Sequence, residues 1–212
     1  AKTVGEYGDQ TVGVNSVAVG YGNYTNDEDG TIVYGAANRA TANAAIALGN
    51  RNEASGGNAV ALGTSNTATQ VKTIAIGNKS NANAEGAIAI GAYNNQNYVT
   101  GSSNTTPKQA GAHSTVIGNY SSATGTSASA MGIFTNASGP GSVAAGYSDN
   151  ALGQNSVAIG SENTSHVADT ITLGQQNNAR TMGGISIGKN NLTDSADGNR
   201  GDVERNRENS QI

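Results

Sequence analysis

The chain has 212 residues, 35% of them hydrophobic, with 30 glycines, 2 prolines, one phenylalanine, no tryptophan and no cysteine. So few large side chains exclude an ordinary globular core of this size, and the missing cysteines exclude a disulfide scaffold and thiol chemistry. A net charge of −4 from 11 basic and 15 acidic residues gives no nucleic-acid surface, and no apolar run approaches the roughly 18 residues of a membrane span.

The chain opens on Ala1-Lys2-Thr3-Val4, which is not a signal peptide, so a mature or excised fragment is expected. A five-residue block then recurs. It reads Ser16-Val17-Ala18-Val19-Gly20, Ala45-Ile46-Ala47-Leu48-Gly49, Ala59-Val60-Ala61-Leu62-Gly63, Thr73-Ile74-Ala75-Ile76-Gly77 and Ala87-Ile88-Ala89-Ile90-Gly91. Further on come Ser142-Val143-Ala144-Ala145-Gly146, Ser156-Val157-Ala158-Ile159-Gly160, Thr170-Ile171-Thr172-Leu173-Gly174 and Gly184-Ile185-Ser186-Ile187-Gly188. Weaker copies end at Gly35, Gly118 and Gly132, and the closing glycines are 14 residues apart except for intervals of 15 (Gly20 to Gly35) and 27 (Gly91 to Gly118). A fixed period of this kind is the mark of a solenoid.

Each block alternates large and small residues at period 2, the pattern of a strand with two distinct faces. Glycine ends it. Three residues later stands Asn, Ser, Thr or Asp, as at Asn23, Asn38, Asn52, Asn66, Ser80, Asn94, Ser121, Thr135, Asp149, Asn163, Asn177 and Asn191. Such side chains favour a turn, and Asn tolerates the left-handed region. Two residues further on, alanine dominates (Ala40, Ala54, Ala68, Ala82, Ala123, Ala137, Ala151, Ala179), and the next alternate position is often small too. That predicts a second strand, so one coil is strand, turn, strand, turn, with two strands of about five residues. The expected fold is all-β: a parallel β-roll of about twelve 14-residue coils, forming two parallel sheets. The aliphatic pairs are expected to point into the coil and meet small residues opposite, leaving a stripe of Ala, Ser and Gly outside, although the two faces can be exchanged. Residues expected to carry roll or inter-chain packing are Val17, Val19, Ile46, Leu48, Val60, Leu62, Ile74, Ile76, Ile88, Ile90, Val157, Ile159, Ile171, Leu173, Ile185 and Ile187. A coil this thin buries little apolar surface alone, so self-association is expected.

Blocks such as Asn15-Ser16-Val17-Ala18-Val19-Gly20 and Asn155-Ser156-Val157-Ala158-Ile159-Gly160 resemble the head repeat of trimeric autotransporter adhesins, over roughly residues 11–191. The resemblance implies a left-handed roll, a side-by-side homotrimer and display on a Gram-negative outer membrane. It also implies attachment to host matrix proteins, host cell receptors or bacterial partners. The family's signal peptide, stalk and membrane anchor have no counterpart in these residues, so an isolated head is expected, tied to a membrane only through an anchor it lacks. The rival reading is a spacer in a surface fibre with no ligand of its own.

Departures from the repeat are where specific binding is expected. The longer first interval holds Asp27-Glu28-Asp29-Gly30, read as a solvated acidic turn, since it has no calcium-loop pattern. The head domain is drawn over 1–191, with an inserted loop at about 92–113. Its ligand candidates are Tyr93, Tyr98, Asn104, Lys108 and His113, because loops on a rigid scaffold often bind. Residues 192–212 are charged and read as a neck, linker or tail, and include Arg200, Gly201 and Asp202, a tripeptide that integrins recognise on exposed turns. Asn-x-Ser/Thr sequons, as at Asn136 and Asn163, follow from composition. The two histidines, His113 and His166, carry no surrounding motif. No catalytic constellation, metal spacing or phosphate loop is visible, so no enzyme, cofactor or metal is expected.

Overall fold

A computed structural model describes residues 3–4, 14–26, 28–97 and 106–194. Among them there is no helix. The chain divides between His113 and Ser114 into two compact units, each a stack of six coils.

In unit 1 the coils contribute the long strands Val17–Tyr21, Ile32–Ala36, Ile46–Asn50, Val60–Thr64, Ile74–Asn78 and Ile88–Ala92. They pair in parallel with no slip, so Gly20, Gly35, Gly49, Gly63, Gly77 and Gly91 form one row. Thr3–Val4 adds to the first of these strands. A second parallel sheet stacks Tyr24–Thr25, Arg39–Ala40, Glu53–Ala54, Thr67–Ala68 and Asn81–Ala82. Unit 2 repeats the plan. Its long strands are Thr115–Asn119, Ser129–Ile133, Val143–Tyr147, Val157–Ser161, Ile171–Gln175 and Ile185–Lys189. Its short ones are Ser122–Ala123, Asn136–Ala137, Asn150–Ala151, Thr164–Ser165, Asn178–Ala179 and Leu192–Thr193. The parallel solenoid and its period thus match the sequence reading. The second strand is two residues long rather than about five, because the chain turns again directly after its alanine.

The two faces of the long strand are exchanged relative to the expectation. Ala47, Ala61, Ala75 and Ala89 are fully buried and meet the buried Ala54, Ala68 and Ala82 of the short strands in one core. Unit 2 builds the same interior from Val116, Ala123, Ala130, Ala137, Ala144, Ala151 and Ala158. The aliphatics instead point outward: Ile46, Leu48, Val60, Leu62, Ile74, Ile76, Ile88 and Ile90 are half-buried, as are Val19, Val157, Ile171, Leu173 and Ile185, while Val17, Ile159 and Ile187 are exposed. The reason is width. A circuit of 14 residues with a five-residue wall facing a two-residue wall leaves a lumen that methyl groups fill at native packing density. Two opposed rows of Ile or Leu would overpack it. The small-residue stripe expected on the outside is therefore the inside.

Besides the sheet pairing, an internal ladder of amides joins the coils. Asn52 is 1% exposed. Its Nδ2 donates to the carbonyls of Leu48 (2.9 Å) and Gly63 (2.7 Å) and to Asn38 Oδ1 (3.0 Å). Its Oδ1 accepts from the backbone N–H of Asn66 (3.0 Å) and from Asn66 Nδ2 (3.0 Å). Asn38 and Asn66 repeat the pattern in unit 1, and Asn163 and Asn177 in unit 2. Each ladder residue satisfies buried backbone groups at a corner where no sheet partner reaches them, which is why the position admits only short polar side chains. The left-handed residue is the one before it: Ala37, Arg51, Ser65, Lys79 and Phe134 all have φ between 50° and 57°. Sequence reasoning gave that tolerance to the Asn itself. The closing glycine is more demanding. Gly63 has φ +116, and a Cβ there would run into the carbonyl of Gly77, so only glycine fits.

Candidate binding surfaces

Three surfaces of the coils are free to meet other molecules, and each is set by position relative to the closing glycine. The first is the outward long-strand face. In unit 1 two in-register rows cover it, Val17-Ile32-Ile46-Val60-Ile74-Ile88 and Val19-Tyr34-Leu48-Leu62-Ile76-Ile90. Tyr34 at 61% and Ile32 at 39% exposure show how open it is. An exposed aliphatic wall of this extent is a protein-contact surface by its composition.

Unit 2 departs from that wall in its first coils. Thr115, Ser129 and Ala145 stand where unit 1 carries aliphatics or Tyr. Large side chains appear instead at the corner beside the glycine row. The Tyr120 and Phe134 rings stack with centroids 5.3 Å apart, Phe134 meets Tyr147 edge-on at 6.1 Å, and Ile133 is exposed next to them. Sequence reasoning missed this cluster. Its signal is available once the chain is aligned on the glycines, because Tyr120 and Phe134 both stand two places after one.

The short-strand face is polar. In unit 1 Tyr24, Arg39 and Glu53 line up, with the Arg39 guanidinium 5.4 Å from the Tyr24 ring centroid and 4.0 Å from the Glu53 carboxylate. Both charged side chains are open to water, so that pair contributes little to stability. In unit 2 the same column is Ser122, Asn136, Asn150, Thr164 and Asn178, and it ends on exposed Leu192.

The expected loop is a hairpin growing from the wall of unit 1. Gln96–Asn97 pairs antiparallel with Thr106–Pro107, so the coil is left and rejoined at nearly the same point. Side-chain amides clamp its base. Asn95 Nδ2 donates to the Asn81 carbonyl (2.9 Å), Asn81 Nδ2 to the Lys108 carbonyl (3.0 Å), and the Ala110 N–H to Asn83 Oδ1 (2.6 Å). Among the named candidates, half-buried Tyr93 occupies the left-handed corner after the long strand, with Lys79 Nζ 5.3 Å from its ring centroid. Lys108 is half-buried where the hairpin returns. His113 is exposed at the other left-handed corner, its N–H donating to the Glu85 carbonyl (2.7 Å). These three sit at different points of the coil and form no single pocket. Tyr98, Asn104, Arg200, Gly201 and Asp202 lie outside the described residues.

In the acidic turn, Asp29 Oδ1 accepts from the Val14 N–H at 3.1 Å, and Asp27 lies outside the described residues. No group of three His, Asp or Glu side chains that could hold a metal occurs among the described residues. Among the described residues one carboxyl lies inside. Asp149 occupies a ladder position, fully buried, and its Oδ1 accepts from Asn163 N–H (2.9 Å) and Asn163 Nδ2 (2.8 Å). Burial pushes its pKa above the ordinary 3.8, against the opposing pull of hydrogen bonds from Asn163 and from the backbone at Gly160 and Tyr147.

Comparison with known families is consistent with this geometry. The model for the YadA head domain repeat matches residues 12–31, 40–66, 54–80, 68–94, 110–133, 123–148 and 137–163, more than half of the chain and in both units. No curated protein matches the chain.

Proposed function

We propose that this chain, which belongs to the YadA head domain repeat family, is the attachment head of a bacterial surface fibre, binding host extracellular matrix, host cells or other bacteria. Membership implies an adhesin-type, surface-displayed and trimeric protein in general. The observation that carries the reading is the outward aliphatic wall of unit 1, Ile46 to Ile90. One chain leaves it half-covered. Three copies facing one another along it would bury it, at on the order of 1 kcal/mol for each aliphatic that goes from half to fully covered.

In such a trimer the polar short-strand faces, the corners and the 96–107 hairpin remain available to a ligand. The hairpin is the candidate contact, with Tyr93 and Lys108 in the chain on either side of it, Tyr98 and Asn104 between its strands in sequence, and His113 at the opposite corner of the coil. A rigid wall clamped at Asn81, Asn83 and Asn95 is a good platform for it.

The test uses the full chain, first shown by sedimentation to be a trimer. It is compared with a variant lacking residues 97–109, which restores the 14-residue spacing between Gly91 and Gly118. Both are screened on immobilised matrix proteins, cultured cells and bacterial layers. Binding by the full chain that the deletion abolishes supports the proposal. Binding retained by the deletion moves the contact to the regular coils. No binding to any of these surfaces overturns the adhesin reading in favour of a spacer.

A further inference from the structure

The internal ladder of unit 2 contains one acid among amides and hydroxyls, and its geometry gives that acid a distinct role. Asn163 shows what the position requires of a donor: its Nδ2 bonds the carbonyl four residues back, Ile159 (3.1 Å), and that of the next coil's glycine, Gly174 (2.8 Å). That Nδ2 lies 3.0 Å from where a Cβ on Gly160 would stand. In the coil before, the same place against Gly146 is taken by Asp149 Oδ2, 2.6 Å from the corresponding point. By register, the carbonyls that face this place are those of Ala145 and Gly160. An ionised carboxylate cannot donate, and Oδ2 is buried without a hydrogen-bond partner among the described residues. Oδ1 already receives both donors of Asn163.

We propose that Asp149 is a proton-operated latch: as the neutral acid its Oδ2–H donates to the carbonyl of Gly160 or Ala145 and closes the ladder between two coils, and ionisation opens it. The proton leaves to solvent and no other group changes. The latch is internal to one chain and does not depend on the adhesin reading. Burial, the largest influence on this carboxyl, favours the neutral form as the latch requires.

Hydrogen bonds from Asn163 and from the backbone at Gly160 and Tyr147 pull the other way, and among the described residues no second acid is buried beside it. Below and above it the ladder carries neutral Thr135 and Asn163, and the interior of the long strands on either side is Ala144 and Ala158. The ionisable side chains on the surrounding elements are Tyr147, Glu162 and His166. All three are exposed, and Glu162 accepts a hydrogen bond from Gln176 outside (2.7 Å). Because the folded state holds the proton more tightly than the unfolded chain, the latch's contribution is complete below the ordinary 3.8. It is lost as pH rises through the raised folded value.

The experiment follows the Asp149 carboxyl carbon by NMR between acid and neutral pH in the full chain, with hydrogen exchange of the Asn163 amide. It is paired with urea midpoints for wild type and Asp149→Asn. Expected are a carboxyl titration above 3.8 and Asn163 protection, corrected for intrinsic exchange, that falls severalfold across it. The variant should lack that step and have a higher urea midpoint than wild type at neutral pH. Titration at or below the ordinary value, or the same step in Asp149→Asn, overturns the latch. Should the variant fail to fold, the wild-type carboxyl titration and Asn163 protection decide the matter alone.

Discussion

Replacing Asn52 by Ala tests the claim that the amide ladder, more than apolar burial, keeps neighbouring coils in place. The substitution removes the side-chain bonds to Leu48, Gly63 and Asn38 and the two that Asn66 donates. It also leaves the Asn66 N–H and the Gly63 carbonyl without that partner at a buried corner. Counting the two stranded buried groups at about 1–3 kcal/mol each, the expected loss is about 4 kcal/mol per chain. A stack of coils in nearest-neighbour contact opens locally rather than all at once, so a single melting temperature is the wrong readout. Native-state hydrogen exchange of the amides between Gly49 and Gly77 is the right one. A local loss of about 4 kcal/mol accelerates exchange there by roughly a thousandfold, while the far coils of unit 2 keep their protection. Thr67→Ala, on the half-exposed face of the next short strand, serves as the control and should change exchange little. Acceleration below about tenfold for Asn52→Ala, near 1.4 kcal/mol, would mean that sheet pairing and the alanine interior hold the coils without the ladder.

Other substitutions probe the remaining steps. Gly63→Ala forces a Cβ toward the Gly77 carbonyl at φ +116 and is expected to cost about 3 kcal/mol or more. Arg51→Gly, at φ +54, should stay within about 1 kcal/mol of wild type. Native-state hydrogen exchange of the amides in the flanking coils compares the two, and similar losses would refute the distinction between the corners. Ile76→Asp places a charge in the middle of the outward wall of unit 1 and should convert a trimer into 21.1 kDa chains in a sedimentation run. A trimer that persists would place the inter-chain contact elsewhere. The sequons at Asn23, Asn163 and Asn191 fall on ladder positions no more than 5% exposed. A glycosyltransferase acting on the folded chain should therefore leave them unmodified and act on half-exposed Asn136 instead, as mass spectrometry of the peptides would show.

The repeat was legible in the residues alone. The glycine row, the Asn, Ser or Thr three places on and the alanine beyond it are local requirements. A backbone angle only glycine adopts, a corner whose carbonyls need a short polar donor, and a wall with room for a small side chain are each decided within a coil and recur every 14 residues. The strand at Ile46–Asn50 and its parallel register follow from that recurrence, as does the family. Which way the strand faces does not. Alternation at Ala45-Ile46-Ala47-Leu48 separates two faces without saying which is inside. That depends on the distance to the opposite wall, and the wall at Glu53–Ala54 is two residues long, which no local pattern displays. The same limit hid the hairpin base, where Asn81, Asn83 and Asn95 take hold of backbone up to 27 residues away in the chain. It also hid the stacking of Tyr120 on Phe134 and the isolation of Asp149. Sequence determined what each coil is made of and how often it returns. Only the closed circuit, by bringing distant walls to a fixed separation, decided what its interior has room for and what it leaves facing water.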